Sequence, residues 1–306
     1  MNRDAYVTDD AYGEQFHLML GDSCERLAEV DDNSVDLSIY SPPFASLFTY
    51  SPSERDLGNS KDRGQFLEHY RFIVDHLLRI TKPGRLAVVH CQQLSTTKAT
   101  HGVVGLTDFR GDLIRAHTAA GWIFHGEVTI DKDPQAQAIR TKAHALMFQT
   151  LNRDSASSRP AMADYLLLFR KPGENALPIK PECDNETWIQ WARPVWYGSK
   201  ETNTLNTGVA RDDADERHIC PLQLDLIDRC IRLWSNRGET VLSPFAGIGS
   251  EGFEAVRLGR RFVGCELKPS YWRTAVTNLE RAEHEASLPT LLDGRLDAGV
   301  EVRASA

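Results

Sequence analysis

The segment Thr240-Val241-Leu242-Ser243-Pro244-Phe245-Ala246-Gly247-Ile248-Gly249-Ser250 reads as a short strand, a glycine-rich turn and the start of a helix that continues through Glu254, Ala255, Val256 and Leu258. Glycine admits left-handed torsions and lets a ligand approach the backbone, and the helix start behind the turn presents unpaired N–H groups. The next apolar run ends in Glu266, where a carboxylate can accept hydrogen bonds from both hydroxyls of a ribose. A nucleoside-containing cofactor fits such a unit. Packing alone also explains a Gly-x-Gly turn, so the segment fixes a strand–turn–helix–strand unit more firmly than it fixes a ligand.

Seven apolar runs have strand character: Phe16–Leu20, Val35–Tyr40, Arg85–His90, Ile123–Ile130, Asp164–Phe169, Thr240–Ser243 and Arg261–Cys265. Helical patterns separate most of them. In Gln65–Ile80 the residues Phe66, Tyr70, Ile73, Val74, Leu77 and Leu78 share one face, and Thr81-Lys82-Pro83-Gly84 stops the helix. Leu222–Trp234 repeats the stripe, and Tyr271–Glu285 is the last helix. This alternation predicts an α/β fold built on a mostly parallel, doubly wound sheet. Gln92–Thr107 and Asp131–Ala163 are polar and poorly periodic, as loops or an inserted recognition region would be. Residues 1–287 are expected to form a single domain with that insert near 92–163 and a second candidate at 175–215; the tail from 288 to 306 is expected to be disordered.

With 306 residues, 41% of them hydrophobic, the chain can bury a sizeable core. No run reaches the roughly 18 apolar residues of a membrane span, and Met1–Asp10 lacks a signal-peptide core, so a cytoplasmic protein with no membrane partner is expected. The six cysteines are scattered, with no zinc-ligand spacing, and are expected to be reduced, with no metal site. A net charge of −8 counts against coating nucleic acid by electrostatics alone but permits a local basic face.

A second motif lies far upstream. In Asp36-Leu37-Ser38-Ile39-Tyr40-Ser41-Pro42-Pro43-Phe44 a buried strand stops in a diproline, which removes two N–H donors and holds the chain extended. The Pro42 carbonyl then lacks a ladder partner and forms an acceptor pair with the Ser41 hydroxyl. Such a pair suits an exocyclic amino group, whose lone pair is delocalised into its ring: accepting both hydrogens draws the nitrogen toward tetrahedral geometry. Phe44 would stack on the base. A Pro-Pro turn with Phe44 in the core fits the tetrapeptide as well.

Together, Ser-Pro-Pro-Phe after a strand and Ser-Pro-Phe-Ala-Gly-Ile-Gly downstream resemble the DNA amino-methyltransferases of the beta arrangement, in which the catalytic motif precedes the cofactor motif. The resemblance runs from about Phe16 to Glu280. It implies a Rossmann-like seven-stranded sheet with one antiparallel strand, helices on both faces and a circularly permuted motif order. S-adenosylmethionine is the implied cofactor, held by Asp22, Pro221, Ser243, Pro244, Phe245, Ala246, Gly247, Gly249, Ser250 and Glu266. Gly21-Asp22 is similar to the family's element near the cofactor adenine, Lys82-Pro83-Gly84 to its turn before the fifth strand, and His218-Ile219-Cys220-Pro221-Leu222-Gln223 to its segment at the methionine end. Members usually carry Asp where Ser243 stands, which implies a weaker contact or a substitute acid. Lys268 replaces a frequently acidic residue and is expected on the surface.

Ser41, Pro42, Pro43 and Phe44 are the implied catalytic residues, acting by in-line transfer that depends on positioning and fixed dipoles. No covalent intermediate is required, and no Pro-Cys motif sits beside the catalytic strand, which counts against cytosine C5 chemistry. The target base must leave a double-stranded DNA substrate. Phe48 and Tyr50 are candidates to receive it, core packing being their other role. Arg55, Lys61 and Arg63 on the following loop, with Lys142, Arg153 and Arg159 in the insert, are the candidate DNA contacts. Between Asp131 and Lys171, Lys132, Arg140, Lys142, Arg153, Arg159, Arg170 and Lys171 outnumber Asp131, Asp133, Asp154 and Asp164, consistent with a phosphate-facing patch or an ordinary solvated surface. Trp188, Trp191, Trp196, Arg193 and Tyr197 form an aromatic-rich segment expected to pack on the sheet, stacking on DNA being its other role. Serine in the first motif position leans toward N4 of cytosine by family resemblance; N6 of adenine is the main rival, and a dinucleotide-binding oxidoreductase leaves Ser41–Phe44 unexplained. A homodimer and a cognate restriction enzyme are both compatible with the sequence, which decides neither.

Overall fold

A computed structural model describes residues 6–43, 55–60, 62–141, 146, 156, 159–205 and 221–288. The N-terminal half contains β1 (Asp9–Tyr12), β2 (Phe16–Leu20), α1 (Ser23–Arg26), β3 (Val35–Tyr40), α2 (Arg63–Ile80), β4 (Thr81–Gln92), β5 (Leu94–Thr96), α3 (Lys98–His101), β6 (Gly105–Thr107), α4 (Phe109–Ala120) and β7 (Ile123–Ile130). There follow α5 (Pro134–Thr141), β8 (Asp164–Arg170), α6 (Asn185–Trp191), β9 (Val195–Trp196), α7 (Leu224–Trp234), β10 (Thr240–Ser243), α8 (Ser250–Arg257), β11 (Arg261–Glu266) and α9 (Pro269–Ser287).

All seven apolar runs are strands of one sheet, in the order β1-β2-β11-β10-β3-β4-β8-β7-β9. From β2 to β4 the neighbours run parallel. Strand β8 is antiparallel to both β4 and β7, so the seven strands include one reversed member, as the resemblance implies. The sheet differs from that expectation at its rims, where β1 and β9 extend it to nine strands. Both are short, and β1 is half polar, because an edge strand has fewer neighbours and needs no continuous apolar run. Gln92–Thr107 also departs from a simple loop: β5 and β6 pair in a separate antiparallel hairpin around α3.

Helices cover both faces. On one, Leu226, Ile227, Phe253 and Leu279 from α7, α8 and α9 pack against Leu37, Ile39 and Val241. On the other, Phe66, Tyr70, Ile73 and Leu113 from α2 and α4 pack against Val35, Tyr40 and Val89. Burying each such side chain stabilises the fold by about 1.5–3 kcal/mol. Helix α2 follows the expected stripe, with Ile80 fully buried and Leu78 only partly. It starts where Asp62 Oδ1 accepts the Gln65 N–H at 2.9 Å and ends at Thr81, where β4 begins.

At the end of the sheet where the parallel strands begin, Arg85 is buried and donates through Nη1 to Glu239 Oε2 at 2.9 Å, with Asp36 3.5 Å away. Asp36 also accepts from Lys82 at 2.7 Å and from the Thr240 N–H at 3.0 Å. Burial pulls the Glu239 carboxyl up, but hydrogen bonds from Arg85 and Asn236 outweigh it and hold it below its ordinary value. This network ties β3, β4 and β10 together. The opposite end of those strands is left for chemistry, as expected of an open α/β sheet.

Candidate functional site

Where β10 and β11 end, the glycine-rich turn closes over a pocket lined by Asp22, Ser41, Pro42, Pro43, Pro221, Pro244, Phe245, Ala246, Gly247, Ser250 and Glu266. Among the described residues, the expected cofactor and catalytic residues thus meet in one cavity, with two exceptions. Ser243 and Gly249 are buried behind the lining. Gly249 has φ 86° and stands against α9, so that a Cβ there would lie 3.2 Å from the Cβ of Ala275. It packs closely against that helix. Gly247 has φ 55° with open space where a side chain would project, so its glycine answers to backbone conformation beside the pocket.

Glu266 closes the turn. Its Oε2 accepts the Gly247 N–H and its Oε1 the Lys268 N–H, both at 2.8 Å. Burial raises its carboxyl to about 7, although these backbone donors pull the other way. Glu251, in the first turn of α8, also lines the pocket; burial pushes it up to about 8, and the charge of Glu266 adds to the shift. Sequence reasoning missed Glu251. An acidic residue just after a glycine-rich turn was the available signal. Ser243 is fully buried and its Oγ has no hydrogen-bond partner, so it supplies no acid there.

Two basic residues lie elsewhere than expected. Lys268 is buried, not on the surface: it lines the pocket with Nζ 4.3 Å from the centre of the Tyr271 ring, because the bond from its N–H to Glu266 turns the chain inward before α9. Arg55 lines the same pocket and is engaged by acids, its Nη1 lying 2.5 Å from Glu25 and 3.3 Å from Asp22, with the guanidinium 4.1 Å from the Tyr6 ring. Asp22 is fixed in turn as the cap of α1, accepting the Cys24 N–H at 2.9 Å.

Across the pocket, Ser41 follows directly on β3. Its Oγ is 2.6 Å from Nδ1 of His90, at the far end of β4. Nε2 of His90 is 3.2 Å from Asp164 Oδ2 on the neighbouring strand β8. Asp164 also accepts from Gln92 at 2.8 Å and pairs with Lys132 at 2.7 Å, and Lys132 lies 3.8 Å from Glu201. Burial would raise the Asp164 carboxyl, but His90 and Lys132 hold it below its ordinary value. In the sequence His90 and Asp164 mark only strand ends. Their one signal is a polar residue terminating an otherwise apolar run.

Phe44, Phe48, Tyr50, Lys61, Lys142 and Arg153 lie outside the described residues, as do the 288–306 tail beyond its first residue and His218–Cys220. The remaining expected DNA contacts are only partly available. Arg63 is the first residue of α2 rather than part of a loop, with Nε 2.9 Å from Asp112. Arg159 is half-buried, its pKa is lowered by that burial, and its Nη1 donates to the Pro160 carbonyl at 3.4 Å. Lys132 is buried against Asp164, and Lys171 donates to Asn33 at 2.7 Å and to the Arg79 carbonyl, away from the pocket. Among the described basic residues of the insert, Lys132 is thus paired with an acid, and Arg159 and Lys171 donate to neutral oxygens. Trp196 packs as expected, buried and stacked on Trp234 with ring centres 6.2 Å apart, whereas Trp188 and Tyr197 are exposed. No helix among the described residues is long and apolar enough to cross a membrane.

The chain is similar to known proteins in sequence and in fold. Type II methyltransferase M1.MboII of Moraxella bovis is 26% identical over 274 residues, covering 84% of this chain and 94% of its own. Type II methyltransferase M.BglI of Bacillus subtilis is 31% identical over 118 residues, which is 38% of this chain and 30% of that protein. The putative DNA modification methylase TTHA0409 of Thermus thermophilus, solved with S-adenosyl-L-methionine, superposes with a TM-score of 0.65 at 23% identity over 90% of this chain and 95% of its own, a likeness of fold. A family model described as DNA methylase matches residues 35–277, which takes in both motifs. The chain belongs to this DNA methylase family, the amino-methyltransferases of N4 in cytosine or N6 in adenine.

Proposed function

We propose that the chain transfers a methyl group from S-adenosylmethionine to N4 of a cytosine flipped out of duplex DNA. The cofactor supplies an electrophilic methyl group on a positively charged sulfur. The pocket suits it: Glu266 and Glu251 offer carboxylates to a cation, Gly247 leaves the backbone open, and Glu266 retains lone pairs for ribose hydroxyls. Glu251 takes the place of the acid that Ser243 lacks. Residues 1–287 act as one catalytic domain, with 92–163 and 175–215 as the regions that recognise the target.

The observation that carries the reading is Ser41 at the rim of the pocket that Glu266 closes. With the ring N–H of His90 directed at Asp164, Nδ1 is the acceptor and the Ser41 hydroxyl donates to it, which leaves both Ser41 lone pairs for amino hydrogens. A neutral acceptor in this position supports cytosine by family tendency; an adenine amino group would satisfy the same atoms. Incubating duplex genomic DNA with tritium-labelled S-adenosylmethionine and separating the digested nucleosides tests it. Label in N4-methyldeoxycytidine is expected. Label in N6-methyldeoxyadenosine overturns the base assignment, and unlabelled DNA overturns the activity.

A further inference from the structure

The Ser41–His90–Asp164 chain has a consequence for the proton that methylation must release. Methyl transfer forms an N–C bond at the amino nitrogen while the S–C bond of the donor breaks and its electron pair stays on sulfur. The nitrogen is left with a positive charge and one hydrogen too many. A proton acceptor near that hydrogen speeds the step if it is held at hydrogen-bond distance and can itself be recharged.

We propose that His90 is that acceptor, reached through Ser41, with Asp164 as its positioning partner. The nitrogen's proton moves to Ser41 Oγ as the Ser41 hydroxyl proton moves to Nδ1 of His90, so Ser41 ends as it began and His90 ends as an imidazolium facing Asp164. The inference rests on the methyl-transfer reading but is indifferent to which base is used.

Three observations support the direction of transfer. The 2.6 Å contact leaves no room for an intervening water. The acid behind the ring is fixed: Asp164 is buried, with one oxygen held by Gln92 at 2.8 Å and the other shared between His90 and Lys132. The elements around the ring contribute Ser41 after β3, Asp164 on β8 and Lys132 after β7, with Glu201 beyond the lysine. Lys132 offsets part of the charge of Asp164. A purely structural polar cluster would not need its free end at a serine lining the cofactor pocket.

Two substitutions separate acceptance of a proton from mere support of Ser41. His90→Asn keeps a side-chain oxygen able to accept from the Ser41 hydroxyl but cannot take its proton. Asp164→Asn keeps a hydrogen-bond acceptor for Nε2–H but removes the charge that stabilises the imidazolium. With full-length protein, saturating cofactor and duplex DNA, single-turnover transfer is expected to fall about 100-fold in His90→Asn and at least tenfold in Asp164→Asn, with the dissociation constants of cofactor and DNA unchanged. Wild-type rates in His90→Asn overturn the proposal. Nitrogen-15 spectra of the wild-type histidines supply a readout that needs no turnover: Nε2–H with an unprotonated Nδ1 that responds to Ser41→Ala is expected, and an Nδ1–H ring overturns the proposal. If the wild type methylates no DNA, the functional reading fails, and the tautomer still decides whether Ser41 can pass a proton to His90.

Discussion

Glu266 and Gly247 lie 19 residues apart and meet through one hydrogen bond, from the Gly247 N–H to the Glu266 carboxylate. On the other side of the same pocket, Ser41 and His90 are separated by 49 residues and His90 and Asp164 by 74, and they meet only because β3, β4 and β8 lie side by side. The cofactor side is therefore a local object, assembled by a turn and its flanking strands. The side proposed to take the base is a product of sheet topology. The two also differ in charge: burial keeps Glu266 and Glu251 close to protonation at neutral pH, whereas Asp164 is held ionised by His90 and Lys132.

That difference can be broken from outside it first. Arg85 joins the strands at the pole away from the pocket, so Arg85→Ala leaves Glu239 buried without its cationic partner, while Asp36 keeps Lys82, and is expected to cost about 3–5 kcal/mol of stability. Urea unfolding measures this. Cofactor affinity in the folded fraction should be unchanged, and a parallel loss would tie the two poles together. On the base side, Ser41→Ala is expected to lower turnover by about 100-fold to 1,000-fold, the scale for removing a group that stabilises developing charge, with the cofactor dissociation constant intact. Equal losses in both quantities would make Ser41 a structural residue. On the cofactor side the pattern reverses: Glu266→Ala should weaken S-adenosylmethionine binding by about 1–3 kcal/mol by calorimetry.

The raised carboxyls give a smaller, pH-dependent test. Folded Glu251, at about 8, and Glu266, at about 7, bind protons that an unfolded chain has released above its ordinary carboxylate pKa near 4.5. Their contribution to stability is thus fully present below about pH 4.5 and is lost as pH rises through 7 and 8. In the range pH 6.5 to 8, above the window in which buried His117, held down to about 4, takes up a proton on unfolding, the melting temperature of the cofactor-free protein should fall with rising pH, and Glu251→Gln should flatten that fall. A wild-type curve that rises across the range would place these carboxylates in water. The smallest effect concerns DNA. Arg159, half-buried and bonded to its neighbour's carbonyl, should change the salt dependence of duplex binding by less than one unit of slope when replaced by Gln, whereas Lys142→Gln with Arg153→Gln should remove roughly one unit per lost phosphate contact. Equal slopes for both variants would detach the insert from the interface.

The contrast between the two sides also explains what could be read in advance. The strand–turn–helix unit, Glu266 and the diproline motif are short and contiguous, so spacing alone located them. Alternation of apolar runs points to the parallel sheet and the resemblance to one reversed strand without saying which, while β1 and β9 sit at edges where burial imposes little pattern. His90 and Asp164 each look like the polar end of a strand until the antiparallel register sets Gln92 opposite Asp164 and brings His90 within reach. Lys132 and Lys268 were misjudged for a related reason: formal charge suggests solvent, whereas an acid or a ring placed by the fold makes burial tolerable. Arg55 was assigned to DNA because the acids that engage it, Asp22 and Glu25, lie far upstream.

The account is tested most directly by mass spectrometry of nucleosides from DNA of cells that express the chain, set beside DNA from cells that express Ser41→Ala. N4-methylcytosine is predicted in the first and its loss in the second. N6-methyladenine in place of N4-methylcytosine, or modification that persists in the Ser41→Ala cells, would contradict the assignment of Ser41 to a flipped cytosine.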